Sequence, residues 1–292
     1  KHQKYDLIYA SSARLFTGFL AAKIANQKQM PLFLDLRDIL SDSIKEVFKS
    51  RVLKAFLSPI IQKIEKYTIQ SATHLNLVSA GFKDSFPYFT GKTTFLTNGI
   101  DDMFLVNNFE QKSTNNPKII TYAGNIGEGQ GLEKIIPEVA KALQGKYIFK
   151  IIGDGGTKQK LVNKIGELKI NNVELIRMVK RKELLKHYRD SDFLFLHLNN
   201  YKAFEKVLPS KIFEYGATNK PIIAGVNGYA REFLAENLSD TILFQPSQVQ
   251  DFIQSLELFQ PQPIDRAKFI QEFNRNLIAA QLADSLLELL PK

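Results

Sequence analysis

Short apolar segments alternate with helical ones twice along this chain, and that rhythm limits its fold more than any other feature. Strand signals at residues 6–10, 31–36, 74–78 and 94–96 are interleaved with helical spacing, which begins at residues 15–26. After Asn98-Gly99 the chain becomes polar through residues 107–117, where the run QKSTNNP has linker composition. A second series then starts, with strands at 118–122, 147–152, 173–176, 193–197, 221–224 and 241–244. Nearly continuous apolar strands separated by helices imply parallel sheets covered on both faces. The expectation is an α/β protein with a first domain over 1–107, a second over 108–275, and a C-terminal helix at 276–292 packing back toward the first. The 292 residues, 44% of them hydrophobic, suffice for two cores.

In such sheets ligands sit at the carboxyl ends of strands, so the turns there carry the functional reading. The stretch 208–224, LPSKIFEYGATNKPIIA, joins a Pro-Ser-Lys turn to a short helix. Pro209 suits a first helical turn, and the amides of Ser210, Lys211 and Ile212 would then be free donors for a phosphate. Glu214, one turn further, is placed to accept from a sugar hydroxyl; the same residues equally describe a capped core helix with an acid in its first turn. Residues 124–131, GNIGEGQG, follow a strand and precede a helix. Small residues let backbone amides approach a diphosphate there, although glycine turns also arise for steric reasons alone. The spacing is not G-x-G-x-x-G, so no nicotinamide or flavin is indicated. Gly153-Asp154-Gly155-Gly156 ends the next strand as a second wall, with Asp154 alternatively a helix cap, and Arg177-Met178-Val179-Lys180 ends the third.

Composition excludes several classes. No apolar run reaches the twenty or so residues of a spanning helix, and no signal segment opens the chain, so the composition fits a soluble cytoplasmic protein. Cysteine is absent, which removes disulfides and thiolate metal sites. The net charge is +9, and residues 43–68 concentrate it, with six basic side chains (Lys45, Lys49, Arg51, Lys54, Lys63, Lys66) against Glu46 and Glu65. Apolar residues among them recur at helical spacing, which reads as a basic amphipathic hairpin broken at Pro59. That pattern fits an anionic membrane surface, and it fits a helix pair packed on a sheet. No nucleic-acid recognition motif accompanies the charge.

The segment LPSKIFEYGATNKPIIAG resembles the donor site of retaining glycosyltransferases of family four, in the bacterial branch that builds O-antigen, capsule and other exopolysaccharides. YDLIYASS (5–12), FLDLRD (33–38), LTNGID (96–101), YAGNIGEGQGL (122–132) and IIGDGG (151–156) match further segments of that pattern in order. The resemblance implies the GT-B architecture of two Rossmann-like domains, with the N-terminal one here incomplete. It implies transfer of a hexose, N-acetylated or deoxy, from a nucleoside diphosphate, UDP being the expected one, to a lipid-linked polysaccharide precursor. The setting it implies is the inner face of the plasma membrane, with no metal and no other cofactor. The donor residues would be Gly124, Asn125, Gly127, Gly153, Asp154, Arg177, Val179, Pro209, Ser210, Lys211 and Glu214. The catalytic set would be Arg37, Asp38 and Lys211, with Asp38 acting as base for an acceptor hydroxyl or orienting it and Arg37 holding a phosphate; Arg37 and Asp38 also make sense as a strand-end ion pair.

Departures from the family pattern are informative. The first of two glutamates usually eight positions apart is replaced by Lys206, with Glu205 adjacent, and only Glu214 matches the second. An arginine and a lysine that usually follow the first strand of the second domain are Asn125 and Gln130 here. A departing diphosphate still needs positive charge, and Lys211 is the first substitute, with Lys206 and Arg177 behind it. An epimerase of the same fold, or an inactive nucleotide-sugar-binding partner, are the alternatives.

Overall fold

The computed structural model describes residues 4–12, 14–39, 51–107, 109 and 116–290. The chain divides into two compact units: Lys1–Gly99 with Lys206–Leu208 and Arg275–Lys292, and Ile100–Glu205 with Pro209–Asn274. The first division falls at Gly99/Ile100, ahead of the polar run, because the Ile100 amide donates to the Phe273 carbonyl at 2.8 Å and Ile100 bridges Asn274.

Unit 1 is built on a parallel sheet, β1 (Ile8–Ser12), β2 (Leu32–Leu36), β3 (His74–Leu77) and β4 (Lys92–Thr94), in sequential order. All five residues of β2 and all four of β3 are buried, including three polar ones, Asp35, His74 and Asn76. Burial on this scale requires partners. Asn76 Nδ2 donates to Asp35 Oδ1 at 2.8 Å and to the Leu96 carbonyl at 3.0 Å, while its Oδ1 accepts from the Thr94 hydroxyl and the Leu96 amide. β4 therefore ends at Thr94, two residues before the end of the expected strand 94–96, because Leu96 turns both backbone groups onto one side chain.

Two helices, α1 (Leu15–Lys28) and α2 (Arg51–Gln70), lie side by side, with Asn26 Nδ2 donating to the Tyr67 and Ser71 hydroxyls at 2.9 Å. The expected break at Pro59 does not occur. α2 runs through it as one helix of 20 residues, with Pro59 on its exposed side. Burial of Glu65, Thr68 and Ile69 along the opposite face outweighs the one lost backbone bond. Lys45 and Lys49, and the side chains of Arg51 and Lys54, lie outside the described residues.

Unit 2 alternates strand and helix: α3 (Asp102–Leu105), β5 (Lys118–Asn125), α4 (Leu132–Ala142), β6 (Tyr147–Asp154), α5 (Lys158–Glu167), β7 (Val173–Ile176), α6 (Arg181–Asp190), β8 (Phe193–His197), α7 (Lys211–Gly216), β9 (Ile222–Gly225), α8 (Gly228–Asn237), β10 (Thr241–Phe244), α9 (Val249–Leu258) and α10 (Ala267–Glu272). A last helix, α11 (Arg275–Leu287), belongs to unit 1. The six strands are parallel in the order β10-β9-β8-β5-β6-β7. The order reverses between β5 and β8, and at that switch the loops from the two strands part and leave a crevice at their carboxyl ends. β5 and β6 pair over their full length, from Lys118↔Tyr147 to Asn125↔Asp154. Both strands thus outrun the apolar signal, which stopped at 122 and 152, because Gly124 and Gly153 have no side chain to extend a pattern.

Candidate functional site

The carboxyl ends of β5 and β6 are held backbone against backbone. A Cβ on Gly153, whose φ is +146°, would fall 1.9 Å from the Gly124 carbonyl oxygen, so only glycine fits. Across this floor opens a cavity of about 370 Å³ lined by Ala123, Gly124, Asn125, Ile152, Gly153, Asp154, Met178, Val179, Leu184 and Lys211. Six expected donor residues meet here: Gly124, Asn125, Gly153, Asp154, Val179 and Lys211. Gly127 is buried beneath the Asn125 amide, Pro209 and Ser210 precede α7, and Arg177 is exposed at the end of β7 outside the lining.

Asn125 and Gln130, which stand where cations were expected, hold each other: Asn125 Nδ2 donates to Gln130 Oε1 at 2.9 Å. The turn between them is also tied to the segment after β8. Asn199 donates its amide to the Gly129 carbonyl at 2.7 Å and its Nδ2 to the Glu128 carbonyl at 3.0 Å, and the Tyr201 hydroxyl donates to Glu128 Oε1 at 2.9 Å. Asp154 accepts the Gly155 amide at 2.8 Å and lies 3.8 Å from Lys158 Nζ, which donates to the Gly153 carbonyl at 3.0 Å. Lys158 thus brings a second positive charge to the cavity's edge.

Lys211 Nζ lies 2.8 Å from Glu214 Oε2, a pair one helical turn apart with both side chains 22% exposed. The buried Tyr188 hydroxyl reaches the same Glu214 oxygen at 3.4 Å. Burial, and then the neighbouring Tyr215 and Glu214, hold the Tyr188 phenol well above its ordinary pKa, so it stays a donor. The amides before α7 are not all free as expected, because Ile212 donates to the Pro209 carbonyl at 3.0 Å in a tight first turn. Lys206 serves elsewhere: its Nζ donates to the Ser85 hydroxyl at 3.1 Å, and Ser79 Oγ donates to its carbonyl at 2.6 Å, all within unit 1.

In unit 1 the Asp35 carboxylate is ringed by donors from Tyr9 (3.1 Å), Ser11 (2.8 Å) and Asn76 (2.8 Å), with Arg37 Nη1 at 3.6 Å. Arg37 also donates to Asn98 Oδ1 at 3.1 Å and, with Asp35, lines a cavity of about 220 Å³ closed by Arg275, Ile278 and Leu282 of α11. The expected strand-end pair is therefore Arg37 with Asp35. Asp38 accepts the Ile39 amide at 2.8 Å and is not in this lining. Among the described residues no group of three or more His, Cys, Asp or Glu side chains is placed to hold a metal ion. Tyr188, Lys158, Asn199 and Tyr201 were not singled out from sequence; the partners of the two tyrosines and of Asn199 are far along the chain, and Lys158, whose partners Gly153 and Asp154 are near, is one of many lysines.

A glycine-floored cavity at the carboxyl ends of a doubly wound sheet, in a chain whose other unit carries its own parallel sheet, defines a Rossmann-like pair of the GT-B class. The family model "Glycosyl transferases group 1" matches residues 106–275, more than half of the chain, and the chain belongs to that family. The glycosyl transferase WcaI of Escherichia coli (strain K12), named for colanic acid biosynthesis, is 34% identical over 97 residues, 33% of this chain and 24% of that protein. The matched stretch therefore spans about a quarter of that relative's length. Among solved structures, sucrose-phosphate synthase of Thermosynechococcus elongatus superposes with a TM-score of 0.72 at 14% identity, covering 98% of this chain and 74% of the other. Anabaena HepE, solved with UDP and glucose, gives 0.71 at 18% identity, covering 97% and 77%. The lipopolysaccharide outer core galactosyltransferase WaaB gives 0.69 at 14%, covering 97% and 75%.

Proposed function

We propose that the cavity over β5 and β6 binds the nucleoside diphosphate of a sugar donor, and that the protein transfers the sugar with retention to a lipid-linked polysaccharide precursor. The observation that carries this reading is the Gly124/Gly153 floor facing Lys211. Glycine backbone lets phosphate oxygens approach, and Lys211 stands where the leaving diphosphate gains charge. Val179 and Met178 offer the base an apolar wall with backbone groups, and Glu214 accepts from the ribose once Lys211 turns to the phosphate. In the transfer the bond from the anomeric carbon to the diphosphate oxygen breaks, a bond to the acceptor oxygen forms on the same face, and the acceptor proton leaves with the diphosphate. Arg37 and Asp38 are the proposed acceptor-side groups. No metal is required in this scheme. HepE's complex with UDP supports UDP as the first donor to try, and WcaI supports an exopolysaccharide product.

The Asn125–Gln130 pair favours a second reading, an inactive nucleotide-sugar-binding partner, because two family cations are replaced by a neutral clasp. A screen of UDP-sugars by thermal shift, followed by mass spectrometry of products with a lipid-linked acceptor, separates the two. Transfer supports the enzyme, binding without product supports the partner, and failure to bind any nucleotide sugar sinks both.

We also propose that unit 1 rests on an anionic membrane. Phe16, Leu20 and Ile24 of α1, and Phe56 and Ile60 of α2, are exposed at helical spacing, with Lys23, Lys63 and Lys66 on the same two helices. Among the described residues no helix is long and apolar enough to cross a membrane.

A further inference from the structure

His197 ends β8 at the switch point of unit 2 and is fully buried. Its ring is stacked near Phe195 and Phe244, with centroids 6.0 and 5.9 Å away and planes 17° apart, and it packs on Gly225 of β9. Both ring nitrogens are used. The Ser247 amide donates to Nε2 at 2.9 Å, and Nδ1 lies 2.6 Å from the Gln130 carbonyl. An amide only donates and a carbonyl only accepts, so Nε2 carries the lone pair and Nδ1 the proton. The ring is therefore neutral, in one tautomer, and joins two turns that no backbone ladder connects. One is the glycine turn 124–131; the other follows β10, where Ser247 has φ +62°. Gln130, caught by its carbonyl, uses its side chain to hold Asn125 at the cavity wall.

We propose that His197 is the positioning residue of the glycine turn: its Nδ1–H fixes the Gln130 carbonyl and, through Gln130, sets the Asn125 amide against the donor's diphosphate. This rests on the donor reading above. A packing role and a positioning role predict opposite orders for two variants. His197→Phe keeps a flat ring beside Phe195 and Phe244 but has no donor. His197→Asn leaves a gap, yet its Nδ2 falls close to where Nδ1 stood and still donates.

The surroundings keep the ring neutral. A proton on Nε2 would oppose the Ser247 amide, and Lys134 of α4 adds like charge, while the aromatic neighbours from β8 and β10 and Gly225 of β9 carry none. Acid thus opposes the Ser247 side, while Nδ1–H still donates to the Gln130 carbonyl.

The test measures UDP affinity by calorimetry at pH 7.5, together with hydrogen exchange of the Gln130 and Gly131 amides, both of which donate to the Gly127 carbonyl. In the phenylalanine variant UDP should bind about tenfold more weakly, as for one lost hydrogen bond, and both amides should exchange faster. The asparagine variant should bind within about twofold of wild type despite a lower melting temperature. Phenylalanine matching wild type in affinity and exchange, or asparagine falling below phenylalanine, overturns the proposal and leaves a packing residue. If wild type binds no UDP, the donor reading fails, and the exchange rates alone decide whether His197 positions the turn.

Discussion

Lys211 and Glu214 hold each other at 2.8 Å, so a donor that draws on either meets a group already engaged with the other. Their substitution effects should therefore be coupled rather than additive. Lys211→Ala is expected to weaken UDP binding and lower turnover, with Lys211→Arg retaining part of both. Glu214→Gln should cost about 2 kcal/mol in donor binding with little change in melting temperature. Equal affinities across wild type and all three single variants would leave the pair as a helix-surface contact. His197 gives a stability prediction of its own. Burial, the largest influence, lowers its pKa from 6.5 to about 4, while the bond to Gln130 acts the other way. Between those values the unfolded chain takes up a proton that the folded one refuses. Stability from this residue is thus complete above pH 6.5 and is lost as pH falls toward 4, on the order of 3 kcal/mol. Denaturant melts of wild type and His197→Asn between pH 7 and 4 should show the steeper acid loss in wild type alone. Sequence showed His197 only as the last residue of an apolar strand, because its partners lie 50 and 67 positions away.

At the scale of elements, the strands were legible because parallel strands buried on both faces read as apolar runs. Helix α2 was legible in composition and misread in continuity: proline lowers the odds of a helix locally, but a face anchored by Ile69 and Thr68 lies beyond any local window. Pro59→Ala should consequently raise the melting temperature, by restoring one backbone donor in an exposed helix, with a gain of up to about 3 kcal/mol. A fall would mean that the proline shapes the helix for packing. The glycine turns were legible as turns, whereas the clasp from Asn125 to Gln130 was not, since either amide has many possible partners. For the membrane reading, the protein should sediment with anionic vesicles and release as salt rises. The double variant Phe16→Ser, Phe56→Ser should lose most of that binding, and Lys63→Gln with Lys66→Gln about 1 kcal/mol per charge. Sedimentation unchanged in both variants, or equal on neutral vesicles, removes the membrane from the account.

Across the whole molecule, the two sheets were visible as two series of strands, while the assignment of α11 to the first of them rests on contacts that no composition predicts. Arg275 Nη2 donates to the Gly99 carbonyl at 3.0 Å, Glu288 pairs with Lys92, and Ile278 and Leu282 close the cavity over Asp35. Ending the chain at Asn274 should lower the melting temperature of unit 1 by several degrees while leaving hydrogen exchange in the core of unit 2 near wild type. Uniform loss in both units would show that α11 acts on the molecule as a whole. The arrangement also has a consequence for biosynthesis. A ribosome finishes residues 100–274 before it makes α11, so the cavity over Asp35 closes only after unit 2 has been synthesised. Nascent chains arrested so that Asn274 but not α11 has emerged from the ribosome should accordingly expose the Asp35 network to solvent exchange while the glycine turns of unit 2 are already set.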